Sequence, residues 1–134
     1  MAWQAPVFDR TAADVAAGAD KCYFSAELLN RIEENVEYLA KLFGVPVVAH
    51  TWAATDFLTL AQVQRILEGL AAVRDAYHAM PGSPDIPAPP ATMWSDVNDI
   101  EKILWGIKEL WDRNTARLKI YAGEACAGDE MGVI

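Results

Sequence analysis

The sequence is poor in cysteine, histidine and positive charge, and each shortage closes a class of function. Cys22 and Cys126 form neither a zinc-ligand spacing nor a disulfide framework, and in a reducing compartment they are expected to be free thiols. His50 and His78 stand far apart in connecting segments, with no carboxylate or cysteine at ligand spacing beside either. No serine lies in a G-x-S-x-G elbow, and no cysteine has a histidine near it in sequence to activate it. The glycines make neither a phosphate loop nor a dinucleotide fingerprint, and Asp9, Asp14 and Asp20 are too dispersed for a calcium loop. The chain is accordingly read as non-enzymatic, with no catalytic residue, metal or cofactor.

Positive charge is equally scarce: 11 basic residues face 19 acidic ones, a net charge of -8. Phosphate binding needs clustered Lys and Arg, so nucleic acid is excluded as an expected partner, and anionic membrane surfaces are disfavoured for the same reason. The acids are scattered singly or in pairs such as Glu33 and Glu34, which fits solubility better than mimicry of DNA. No run of 18 apolar residues suits a membrane span, and MAWQAPVFDR lacks the basic start and apolar run of a secretory signal. The expected location is the cytoplasm.

What the sequence has is periodicity. Leu29, Ile32, Val36, Leu39 and Phe43 alternate three- and four-residue steps, which places all five on one helical face. Val63, Ile66, Leu70, Val73 and Tyr77 form a second such stripe, and Val97, Ile100, Leu104, Ile107 and Trp111 a third. Each stripe maps onto the next by a shift of 34 positions at every member, the mark of one helical unit used three times. The predicted fold is all-α: a three-helix bundle over residues 25–120, preceded by an arm (1–24) and followed by a tail (121–134), all one domain.

Boundary signals agree with the stripes. Ser25 suits an N-cap with Phe24 and Leu29 as a staple, Thr59 and Gln62 suit a capping box with Leu58 and Val63 as a staple, and Ser95 or Thr92 suits the third cap. Gly44 closes the first helix, and Pro81 with Gly82 stops the second. Thr11 and Asp14 open a short Ala-rich helix that Gly18 ends. Glu27 and Arg31, Glu37 and Lys41, and Glu109 and Arg113 read as solvated i,i+4 pairs. The connections run to about 15 residues where roughly 2 to 8 are usual in bundles. Such lengths permit parallel as well as antiparallel neighbours, and up-down-up is the expectation. Gly123 and Gly128 argue against helix in the tail, which is predicted to be irregular, a hairpin or an edge strand open to another chain.

Trp3, Trp52 and Trp94 fall in segments leading into helices, where indoles either anchor long connections or form a partner surface, the first being the expectation. Trp105 breaks the pattern of its helix, because it lies beside Asn98, Glu101, Lys108 and Asp112 on the polar side. Either the arm (Trp3, Pro6, Phe8) covers it or it meets another protein across a polar rim of Glu101, Lys108 and Asp112. Tyr121 and Glu124 are the candidate contacts of the tail.

Several short motifs carry a resemblance: W-x-x-P-x-x-D-R-T-x-x-D-V (Trp3 to Val15), K-x-Y-F (Lys21 to Phe24), L-N-R-I-E-x-N (Leu29 to Asn35) and W-x-x-x-D-F (Trp52 to Phe57). P-G-S-P at Pro81, N-D-I-E at Asn98 and Y-A-G-E at Tyr121 complete the set. Together they resemble a family of small proteins encoded in the tail gene clusters of bacterial prophages, near baseplate and tail-fibre genes. The resemblance implies a context: a structural or adaptor component of a phage tail, binding other tail proteins or itself, present in the host cytoplasm during assembly and in the virion tail if incorporated. A small phage-encoded regulator or inhibitor of a host protein is the alternative.

Overall fold

The computed structural model describes residues 3–19, 25–78, 80–91 and 93–125, with side chains up to residue 116. The described chain is all-helical: α1 (Ala12–Ala17), α2 (Ala26–Phe43), α3 (Leu60–Ala76) and α4 (Trp94–Ala125). The caps lie largely where the sequence puts them. Thr11 and Asp14 form both bonds of a capping box, and Gly18 closes α1 in the left-handed region at φ 71°. Ser25 accepts from the Leu28 N–H, Thr59 accepts from the Gln62 N–H, and Gly44 ends α2 at φ 72°. The Gln62 carboxamide does not return the box bond; it accepts from Arg65 Nε instead. α4 begins at Trp94, so Ser95 lies inside the helix, and the Asp96 carboxylate accepts from the Met93 N–H. Thr92 and Phe24 lie outside the described residues.

All three stripes face inward. The first four members of each are buried, from Leu29, Ile32, Val36 and Leu39 to Val97, Ile100, Leu104 and Ile107, and α2, α3 and α4 pack around this single core. Corresponding members share layers. Leu29, Val63 and Val97 line one small apolar cavity together with Ile32, Ile66 and Ile100. Phe43, Tyr77 and Trp111 meet at the other end, with ring centroids 5.0 Å apart for Phe43–Tyr77 and 5.5 Å for each of the other pairs. Helices whose first members share one layer and whose last members share another run in the same direction. The expected up-down-up order is therefore corrected to three parallel helices, and the long connections have a reason. Each must return the chain the length of a helix of roughly 27 Å, which an extended segment of about 15 residues spans with slack.

The C-terminal expectation is also corrected. α4 runs through Tyr121, Gly123 and Glu124 to Ala125, so these residues are neither an edge strand nor a hairpin. One interior glycine costs a helix only about 0.5–1 kcal/mol relative to Ala, too little to stop one already nucleated over 32 residues. Residues 126–134, including Cys126 and Gly128, lie outside the described part, as does Cys22.

Leu70 and Leu104 are fully buried in this core. Truncating either to Ala should lower stability by about 2–5 kcal/mol, read as a shift of the denaturant midpoint at unchanged slope. An unmoved midpoint for both would refute the packing described.

Candidate functional site

Buried polar chemistry in this molecule pins backbone. Asn30 Nδ2 donates to the Trp52 carbonyl at 3.0 Å, while its Oδ1 accepts from the Trp52 N–H at 2.7 Å. Asn98 makes the same two-bond bracket on Arg10, at 2.8 and 3.2 Å, and Asn35 makes it on Gln4, at 2.8 and 2.9 Å. A carboxamide offers a donor and an acceptor side by side, as a neighbouring strand does, so each bracket satisfies both polar groups of one residue of extended chain.

Two carboxylates sit beneath these brackets. Glu101 is fully buried; its Oε2 accepts from Arg10 Nη2 at 2.9 Å and Arg31 Nη2 at 2.9 Å, and its Oε1 accepts from Arg31 Nε at 2.7 Å. Glu33 accepts from the Trp52 indole Nε1 at 2.8 Å and from both Nη atoms of Arg65, which also donates to the Val48 carbonyl at 2.7 Å. Hydrogen bonds to Glu101 and Glu33 raise Arg31 and Arg65, respectively, above the usual guanidinium value, so both stay charged. The arrangement repeats at the spacing of the stripes. Arg31 and Arg65 are 34 positions apart, as are the buried Glu33, Leu67 and Glu101. The next position after Arg65 is Asp99, whose carboxyl is pushed above its ordinary value by burial first and by Asp96 second.

The partner residues expected from sequence divide. Trp105 is half-buried, with Phe8 of the arm against it at 5.5 Å between centroids. Glu101 is corrected: it is an interior anchor and no part of an exposed rim, because two arginines from outside its own helix converge on it. Lys108 is mostly covered; its Nζ bonds Asp112 at 2.7 Å and lies 5.6 Å from the Trp3 ring centroid. Asp112 stays exposed. Tyr121 and Glu124 lie in the last turns of α4. Arg31, read as a solvated partner of Glu27, instead crosses to α4, whereas Glu109 and Arg113 do pair, at 3.5 Å.

Sequence reasoning missed two clefts. One, of about 390 Å³, lies where the segment Pro46–Ala49 crosses α3 at Glu68, Gly69 and Ala72. The other, of about 120 Å³, lies where Met80–Ser83 crosses α4 at Lys102, Trp105 and Gly106. Their positions correspond along the sequence, since Pro46, Glu68 and Ala72 stand 34 positions before Met80, Lys102 and Gly106. Close crossing needs a small residue at Gly106, where a Cβ would meet the Met80 Cβ at 3.1 Å; one on Gly69 would meet Val36 of α2 at 3.3 Å and Val47 of the crossing segment at 3.8 Å. No family model, curated protein or solved structure matches this chain. Among the described residues there is no group of three or more potential metal ligands, and no helix is long and apolar enough to cross a membrane. The His50 ring reaches the Asp56 carboxylate, at 3.4 Å, and packs edge-on against Trp52 at 4.5 Å between centroids.

The remaining exposed apolar surface is uneven. Phe57 is 87% exposed although its turn is ordered: the Asp56 N–H donates to the Ala53 carbonyl at 3.0 Å and the Asp56 carboxylate accepts from the Ala53 N–H at 2.8 Å. The Ala53 bond, and then His50, hold the Asp56 carboxyl below its ordinary value. The W-x-x-x-D-F motif thus contains an anchor, Trp52, a turn-former, Asp56, and a side chain left in solvent, Phe57.

Two outcomes test this frame. Glu101→Gln should cost about 3–5 kcal/mol, the usual loss when one partner of a buried ion pair is removed. Asp99→Asn should stabilise the fold at neutral pH. A carboxyl raised in the folded state favours folding only while protonated, and that contribution is lost as pH rises through its folded value. The advantage of Asp99→Asn should therefore shrink as pH falls toward the ordinary value of 3.8. Urea midpoints for both proteins across this range check the sign.

Proposed function

We propose that the chain is a non-enzymatic structural or adaptor component of a phage tail, in the baseplate or tail-fibre region, acting through protein-protein contacts. The observation that carries the contact reading is Phe57, a large apolar side chain held in solvent by an ordered turn. A fold gains nothing from that exposure, and aromatic residues set in this way are typical anchors of interfaces. Val48 and Met93, 77% and 62% exposed, add apolar surface outside the core. The buried charged side chains Arg10, Glu33 and Glu101 are engaged in holding the N-terminal arm and the connection at Trp52, which leaves them unsuited to chemistry on a substrate. The phage context rests on the motif resemblance. The same reading takes residues 25–120 as a three-helix bundle made from three copies of one 34-residue unit, supported by the shared layers and the matching clefts.

Fractionation of induced particles separates this function from that of a regulator acting on a host protein. A tail component co-purifies with virions at a fixed copy number; a regulator stays in the soluble lysate. Absence from purified, infectious particles would overturn the structural assignment.

A further inference from the structure

The Trp105 cleft and the Phe57 turn match each other in size, charge and polarity. We propose that the Asp56–Phe57 turn of one copy docks into the Trp105 cleft of a second copy, a head-to-tail contact between identical chains that rests on the protein-contact reading above. The cleft, about 120 Å³, has the indole of Trp105 and Met80 as apolar walls beside Gly106. The cleft is smaller than the roughly 150 Å³ apolar cavity that encloses benzene, but it is open on one side, so the edge of a phenyl ring can enter without the whole ring being enclosed. Lys102 opens onto the cleft, is exposed, and forms no ion pair among the described residues. Asp56, next to Phe57, turns only Oδ2 to Ala53 and His50, which leaves Oδ1 for the Lys102 ammonium.

Charge also selects between the two equivalent clefts. The larger one carries Glu68 where this one carries Lys102, and Glu68 repels Asp56.

The two halves of the contact lie at different levels. Phe57 precedes the first turn of α3, whereas Gly106 is level with Ala72, twelve residues into that helix and about 18 Å along its axis. A protrusion and a socket at separate places on one chain make a heterologous contact, which closes into a ring or extends as a filament.

Sedimentation velocity on the full chain over a concentration series is the test. The wild type should associate with rising concentration. Phe57→Ser and Lys102→Glu, both exposed, should each weaken association by about tenfold or more while leaving the thermal melt unchanged. An equimolar mixture of the two variants should pair again and stop at dimers, because only the Phe57 of one and the cleft of the other remain intact. A wild type that stays monomeric overturns self-docking, as does a mixture that associates no better than its components, or association lost in Phe57→Ser and kept in Lys102→Glu. The contact reading itself is judged separately by the particle fractionation, so a monomeric chain that still co-purifies with virions removes only the self-docking.

Discussion

Three helices running in one direction can be joined only by chain that travels back the length of the bundle, and that returning chain carries backbone N–H and C=O groups needing partners. Helices and sheets satisfy such groups internally, but a single extended segment laid over an apolar core does not. The Asn30 bracket does this for the connection at Trp52, and Asn35 and Asn98 do the same for the extended N-terminal arm at Gln4 and Arg10. Each unmade bond at a buried group would cost about 1–3 kcal/mol, so three brackets weigh heavily against a net stability of roughly 5–15 kcal/mol. The indole of Trp52 and the guanidinium of Arg10 follow from the same need. Both belong to bracketed residues, and both then reach a buried carboxylate.

The buried charges address a different difficulty. Ile32, Ile66 and Ile100 are the same residue at the same layer, and apolar packing alone discriminates weakly among such similar faces. Ion pairs distinguish them. Arg65 reaches Glu33 between α3 and α2, and Arg31 reaches Glu101 between α2 and α4. At the third junction the corresponding residues are Asp99 and Leu67, which cannot pair. A helix placed at the wrong junction would bury a carboxylate without its arginine, a larger penalty than the gain from a correct pair. The ion pairs thus favour this arrangement of the helices over one that would separate a buried carboxylate from its arginine.

Periodicity and capping were legible because they depend on neighbours within a few residues. The stripes, the Gly44 and Gly18 caps, and the anchoring by Trp52 could all be read that way. The spacing of 34 also held the helix direction, since stripes that match member for member pack in layers only when parallel; connection length was the second clue. Long-range pairing was not legible. Arg31 has Glu27 four residues away, a sound local partner, and nothing local reveals that Glu101, 70 positions on, will accept from its Nε and Nη2. Glu101 looked solvated because helical geometry separates it from the stripe, but the arm and α2 close over that side. Glycine misled at the tail, where one unfavourable residue was weighed without the long helix leading into it. The clefts were invisible because they exist only where a connection crosses a helix.

What repeats in this chain builds the core, so what distinguishes its surface lies where the repetition fails. Glu34 and Glu68 are followed at the next equivalent position by Lys102, and Glu37 and Ala71 by Trp105. Both departures fall on one turn of α4 and line the same cleft. The arm contributes from behind. Phe8 packs on the indole, and Asn98 and Glu101 hold Arg10 just beyond Phe8, so the cleft wall is fixed in place before anything enters it. A ring held from one side loses little further rotamer freedom when its other side is covered, and that preorganisation favours binding without adding a contact. The arm therefore acts as a support for Trp105 and leaves the side facing the cleft open. Of the two alternatives that the sequence poses, the arm's cover is only partial: Phe8 packs on the ring, which stays half-buried and also lines the cleft.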